Sequence, residues 1–204
     1  MLKKRLVNVA VLVSGGGTNL QAIINFSADG ELKSGKLVKV ISSNPNAYAL
    51  ERAKSNDIET AVVERKGKTQ EQFEDGLISE LEKSNAEVIV LAGFMCILSK
   101  RFTDKYKDRI INVHPSLIPS FCGEGFYGLK VHEAVLEYGV KVTGATVHFV
   151  NEIPDGGKII MQKAVKVKQG DTPSKLQKRV MEEAEWKILP ASLELVCKLV
   201  LKGE

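Results

Sequence analysis

Cysteine, histidine, proline and tryptophan are all scarce in this chain of 204 residues, which holds three, three, six and one of them. The cysteines, Cys96, Cys122 and Cys197, are odd in number, well separated and without a CxxC spacing, so neither a disulfide framework nor a zinc site is indicated, and no metal is expected. No stretch approaches the ~18 uninterrupted apolar residues of a membrane-crossing helix, so no membrane role is expected. Charge of one sign is not concentrated either. Twenty-nine Lys and Arg against 25 Asp and Glu leave a net charge of +4 spread along the chain, which suits a small anion and is no footprint for nucleic acid. The start, Met1–Arg5, runs into a strand-like segment and then a glycine loop, without the apolar core and cleavage site of a secretory signal, so the expected location is cytoplasmic. What remains, 44% hydrophobic and 26% charged residues with no repeat and no low-complexity linker, is ordinary globular composition, and residues 1–204 read as one domain.

Apolar runs alternate with stretches of helical period. Leu6–Val13, Leu37–Ser42, Ile58–Val63 and Val88–Ala92 read as strands apolar on both faces. Between them, Leu20, Ile23 and Ile24 mark one helix, Ala47–Lys54 a short second one, and Phe73, Leu77, Ile78 and Leu81 a third. Thr18 is the expected N-cap of the first helix, with Gln21 completing a capping box. Strands of this kind separated by helices imply a mostly parallel, open twisted α/β sheet covered on both faces, which binds ligands beyond the carboxyl ends of its strands. The second half changes character: Lys141–Val150 alternates, and Lys158–Val167 is placed to pair with it as an antiparallel extension. A final helical stretch, about 174–201, contains Pro190, where a kink or restart is expected.

Scarce histidine narrows the candidates for proton transfer to His114, His132 and His148. His114 stands out because Asn112-Val113-His114-Pro115-Ser116 lies where a strand ends, and an amide shares its segment. His148 falls within the alternating strand and is equally readable as a satisfied, half-buried side chain; His132 reads as a helix residue beside Glu133. Asp155, in Pro154-Asp155-Gly156-Gly157, is a natural turn former that becomes chemical only if it meets His114. Together these groups suit carbonyl transfer: Asn112 donates to a developing oxyanion, His114 holds or moves a proton, and the carboxylate, which raises the imidazole pKa, is expected to keep the ring protonated. The loop Ser14-Gly15-Gly16-Gly17-Thr18-Asn19 exposes bare backbone at a helix start, where N–H groups receive an anion such as a phosphate monoester. A dinucleotide fingerprint wants a glycine at Leu20 and an acid after the next strand, which ends Ser42-Ser43-Asn44; a P-loop wants a Gly-Lys-Ser/Thr that is absent. A tight turn without a ligand stays open. Ala92–Leu98 leaves a strand end as an apolar loop, suited either to a flat heteroaromatic ring or to a plain buried link.

Ser14–Gln21 (SGGGTNLQ), Leu91–Ser99 (LAGFMCILS), Ile111–Pro119 (INVHPSLIP), Thr143–Val150 (TGATVHFV) and Asp155–Gly157 occur in that order, and over essentially its full length the chain resembles the folate-dependent phosphoribosylglycinamide formyltransferases of purine biosynthesis. The resemblance implies formyl transfer from 10-formyltetrahydrofolate to the amine of the glycinamide ribonucleotide, both small molecules, by a monomer or homodimer. It implies Asn112, His114 and Asp155 as catalytic residues. Gly17, Thr18, Asn19, Pro115 and Glu185 would touch the ribonucleotide, while Met95, Cys96, Ile97, Leu98, Asn112, Asn151 and Asp155 would line the folate pocket. Against many relatives the chain has Cys96 and Gln70 in place of arginines, a longer Phe121–Gly128 stretch, and one extra residue ahead of Glu185. Rival readings are a 10-formyltetrahydrofolate hydrolase using the same three groups on water, a formyltransferase with another amine acceptor, and a non-catalytic nucleotide-binding module.

Overall fold

A computed structural model describes residues 5–203; Met1–Lys4, the start of the basic opening segment, and Glu204 lie outside it. Seven strands form one sheet in the order β3-β2-β1-β4-β5-β6-β7. They are β1 (Val7–Val13), β2 (Gly35–Ser42), β3 (Glu59–Val62), β4 (Val88–Leu91), β5 (Ile110–His114), β6 (Val142–Phe149) and β7 (Ile159–Lys166). Pairing is parallel from β3 through β5 and antiparallel at β5–β6 and β6–β7, as the mostly parallel sheet with a later antiparallel extension requires.

The expected strand ends hold to within two residues because continuous Val/Ile/Leu runs fit only positions covered on both faces. The pleat of β1 divides the core. Val7, Val9, Val11 and Val13 face the helices α1 (Thr18–Ala28), α2 (Tyr48–Lys54) and α7 (Trp186–Lys202). Ala10 and Leu12 face α3 (Gln70–Lys83) and α4 (Lys100–Lys105) through Phe73, Leu77, Leu81 and Phe102. Two further helices, α5 (Leu129–Tyr138) and α6 (Pro173–Val180), flank the antiparallel end. Strand β6 is buried on both faces from Thr143 to His148, because β5 and β7 flank it and helices cover it, so its alternating sequence does not produce alternating burial.

Two local expectations are corrected. The N-cap of α1 is Gly17, not Thr18, and no side-chain capping bond forms there. Gly17 is left-handed (φ 73°), and a Cβ on it would lie 2.7 Å from the Cβ of Ala49, so glycine is required. Gln21 turns its side chain to Arg52 and Asn25 instead, and the capping box of this fold is Thr69–Gln72 at the start of α3. Pro190 sits inside α7, so the helix does not restart there. The irregularity lies one turn earlier, at Met181–Glu185, where the helix widens into a π turn and the Trp186 N–H reaches back five residues to the Met181 carbonyl. A π turn is how a helix absorbs one extra residue.

β1 pairs with β2 on one side and β4 on the other, so the chain reverses its direction of travel at β1/β4. The loops that follow these two strands open into one crevice, the place where such sheets bind ligands. Ser14 Oγ ties them together by accepting from Met95 N–H at 3.0 Å.

Candidate active site

Asn112 and His114 stand on alternate residues of β5, so both point to the same face. Across the antiparallel ladder Asn112 pairs with His148 and His114 with Thr146, which puts four polar side chains on one patch. Thr146 Oγ1 donates to the Ser116 carbonyl at 2.7 Å and accepts from Ile118 N–H at 3.1 Å, fixing the chain that leaves His114. Pro115, half-buried, begins that turn.

Asp155 reaches this patch from the β6–β7 connection. Its Oδ2 lies 3.3 Å from His114 Nδ1, and its Oδ1 lies 3.5 Å from His148 Nε2. The sequence therefore named the three central residues, and the fold brings them together. It underrated His148. His148 Nδ1 donates to the Phe149 carbonyl at 2.8 Å, which leaves Nε2 to accept from Asn112 Nδ2 at 3.3 Å. One of the two Asn112 N–H groups is thereby engaged and the other remains for a ligand.

Electrostatics correct one expectation. Burial is the largest influence on His114 and lowers its pKa, and the opposing pulls of Asp155 and of the Phe121 carbonyl leave it below the ordinary 6.5. Burial raises Asp155, but the close approach of His148 Nε2, the charge of His114 and the Gly123 N–H together outweigh it, and the carboxyl falls below its usual range. The carboxylate is thus ionised while the ring is mainly neutral at pH 7. His114 Nε2 lies 2.8 Å from Phe121 O, an acceptor, so the ring proton resides on Nε2 and the Nδ1 lone pair faces Asp155. A second proton at Nδ1 would create an ion pair bracketed by two acceptors. The long 121–128 stretch therefore contributes directly to the site: Phe121 O holds the ring, and Gly123 N–H donates to Asp155 Oδ2 at 2.9 Å. His132 is fully buried on α5 with both ring nitrogens unpartnered, and burial, then the charge of His114, pushes its pKa down to about 4.

Beside these groups lies a cavity of about 120 Å³, lined by Phe94, Cys96, Ile97, Leu98, Asn112 and His148 and closed by the 150–155 segment. Ile97 and Ile153 at its mouth are 69% and 58% exposed, an unfavourable placement that an apolar ring would cover. Cys96, Ile97, Leu98, Asn112, Asn151 and Asp155 all line it, as expected. Met95 does not: its side chain is 60% exposed, and its backbone is held by Ser14. Phe94 was missed, although it sits in the same segment and stacks on Phe73. Gln70 donates to the Ile97 carbonyl at 3.0 Å and to Glu74, so it braces the wall of the cavity.

At the other end of the crevice Asn19 Nδ2 donates to Glu185 Oε2 at 2.8 Å, which joins the π turn to the glycine loop. Burial pushes Glu185 up to about 7 against the pull of the Asn19 amide. An acid whose folded pKa exceeds its unfolded one binds more protons when folded, so its contribution to stability declines as pH rises from about 4.5 to about 7. Relative to Glu185→Gln, the protein is expected to lose about 5 °C of Tm across that window. Parallel Tm curves from pH 4.5 to 8 would contradict this.

The formyl transferase family model matches residues 7–193. Among curated proteins, the chain is 39% identical over 196 residues to the phosphoribosylglycinamide formyltransferase of Haemophilus influenzae, covering 96% of this chain and 87% of that protein. It is 46% identical over 191 residues to the trifunctional purine biosynthetic protein adenosine-3 of Gallus gallus, covering 93% of this chain but 18% of that protein, so it spans about a fifth of such relatives. The crystal structure of glycinamide ribonucleotide transformylase 1 from Symbiobacterium toebii superposes with a TM-score of 0.88 at 36% identity, covering 95% of this chain and 88% of that one.

Proposed function

Since this chain belongs to the formyl transferase family, we propose that it moves a formyl group from 10-formyltetrahydrofolate to the primary amine of 5-phosphoribosylglycinamide, a step of purine biosynthesis. The observation that carries this reading is the 3.3 Å approach of Asp155 to His114 Nδ1 beside Asn112, on the wall of an apolar cavity. The cavity suits the flat ring of a reduced folate, with Ile97 and Ile153 against its faces and the polar groups of Asn112, His148 and Asp155 at its inner end. Gly17 and Thr18 are read as the phosphate contacts, with Asn19 and Glu185 toward the sugar.

Attack of the neutral amine on the formyl carbon places negative charge on the formyl oxygen and a surplus proton on the nitrogen. The free N–H of Asn112 stabilises the oxygen. The His114 Nδ1 lone pair, facing a carboxylate, accepts the proton, and the resulting imidazolium is held by Asp155 and Phe121 O. That cation stabilises the oxyanion until the proton passes to the departing folate nitrogen as the C–N bond breaks. His114 thus becomes charged during the reaction instead of being stored charged.

Ligand-induced stabilisation tests the assignment. At about 100 times its Kd, phosphoribosylglycinamide should add ~2.7 kcal/mol to stability and raise Tm by several degrees. Its dephosphorylated riboside at the same concentration should raise it far less. A shift with 10-formyl folate but none with the ribonucleotide would turn the reading to a hydrolase of the folate.

A further inference from the structure

Helix α2 grips the glycine loop from behind. Ala49 N–H donates to the Gly15 carbonyl at 3.1 Å, and Arg52 Nε donates to the Gly16 carbonyl at 2.8 Å. In a trans peptide the C=O and the following N–H point in opposite directions. Tying these two carbonyls to α2 therefore turns the N–H groups of Gly16 and Gly17 away from it, toward the open side of the loop. The Gly17 carbonyl accepts from Gln21 N–H at 2.9 Å, the first bond of α1, so the Thr18 N–H points outward from the helix end. Three consecutive N–H groups thus share one side, with Gly17 left-handed between them, the arrangement of an anion nest. Among the described residues, nothing accepts from the N–H of Gly16 or Gly17.

We propose that Arg52 is the positioning residue of this anion cradle, acting through the Gly16 carbonyl to aim the Gly17 N–H at the substrate phosphate. Its guanidinium is itself fixed. Nη1 donates to Gln21 Oε1 at 3.0 Å, Gln21 Nε2 donates to Asn25 Oδ1 at 2.9 Å, and the Tyr48 ring lies 5.0 Å away. No described carboxylate pairs with Arg52, so its charge also favours a dianion in front of the loop. A lysine cannot reproduce the fork that reaches Gly16 and Gln21 together. This assignment rests on the reading that the loop receives the phosphate of the ribonucleotide.

Steady-state kinetics of Arg52→Met and Arg52→Lys test it. In Arg52→Met the KM for phosphoribosylglycinamide is expected to rise about tenfold or more, with kcat and the KM for 10-formyl folate within twofold of wild type. Arg52→Lys should fall between the two, and it serves as the test if the methionine variant does not fold. Lys54→Ala, on the same helix, should leave all three constants unchanged. An unchanged ribonucleotide KM in the Arg52 variants would overturn the proposal, as would a loss of kcat and Tm without a KM change, the mark of a purely structural role. Wild-type kinetics with the dephosphorylated riboside separate the two readings. A strong preference for the phosphate alongside unaffected Arg52 variants sinks only the role of Arg52; no preference sinks the phosphate reading as well.

Discussion

Replacing Asp155 by Asn is expected to lower kcat at least about a hundredfold while the protein stays folded. The amide is nearly isosteric, and its oxygen can still accept from Gly123 N–H, which donates to Asp155 at 2.9 Å. What disappears is the negative charge 3.3 Å from His114 Nδ1. That charge is the largest influence raising the His114 pKa, against burial, which lowers it. Without it the imidazolium that forms during transfer is a buried cation facing a neutral amide. The sign of the accompanying pH effect follows. If neutral His114 must accept a proton, the acid limb of kcat reports its deprotonation, and removal of the carboxylate moves that limb to lower pH while the plateau falls. His114→Ala should be as damaging and should abolish the limb. Turnover of either variant between pH 5 and 9 is the check, and near-normal kcat in either would remove the residue from its role.

Gly157→Ala is expected to cost comparable activity for a mechanical reason. A Cβ at Gly157 would fall 1.7 Å from the Phe149 carbonyl oxygen, which is backbone at the end of β6 and cannot step aside. The adjoining Phe149 N–H donates to the Lys158 carbonyl at 2.9 Å, so the collision opens the base of the loop that carries Asp155. Asp155 itself has φ 56°, a left-handed conformation kept only while the loop is anchored on both sides. We expect a fall in turnover of about a hundredfold together with a drop in Tm of about 5 °C or more. Gly170→Ala is the control: it too has positive φ (76°), but nothing lies within 4 Å of the added carbon. It should show only the local strain of about 1 kcal/mol and keep its turnover. Equal behaviour of the two variants would mean that close approach at Gly157 does not hold the loop.

What the sequence made legible is what local chemistry controls. Leu6–Val13 and Val88–Ala92 could only be doubly covered strands, and Asn112, His114 and Asp155 were visible because each stood at a strand end or a turn that gave an unusual residue type a place. His148 was not, since its contact with Asn112 depends on the β5–β6 register, a pairing between residues 36 apart. Thr18 misled because its spacing to Gln21 satisfies the capping-box rule, yet a left-handed glycine had already taken the cap and Arg52 had claimed the glutamine side chain. Pro190 misled in the opposite way. The helix does not restart there: α7 runs through Pro190, and the π turn lies upstream at Met181–Glu185. Met95 belongs to the same segment as Cys96, Ile97 and Leu98, but it is 60% exposed and its N–H is tied to Ser14, a contact between two loops that no local pattern reveals.

The most direct test of the proposed transfer is a spectrophotometric assay that follows loss of the 10-formyl group from the folate, run with and without phosphoribosylglycinamide. Folate product that forms only when the ribonucleotide is present, in equal amount to the formylated amine, is the predicted result. Equal release without the ribonucleotide would make water the acceptor, and no release in either case would contradict the transfer altogether.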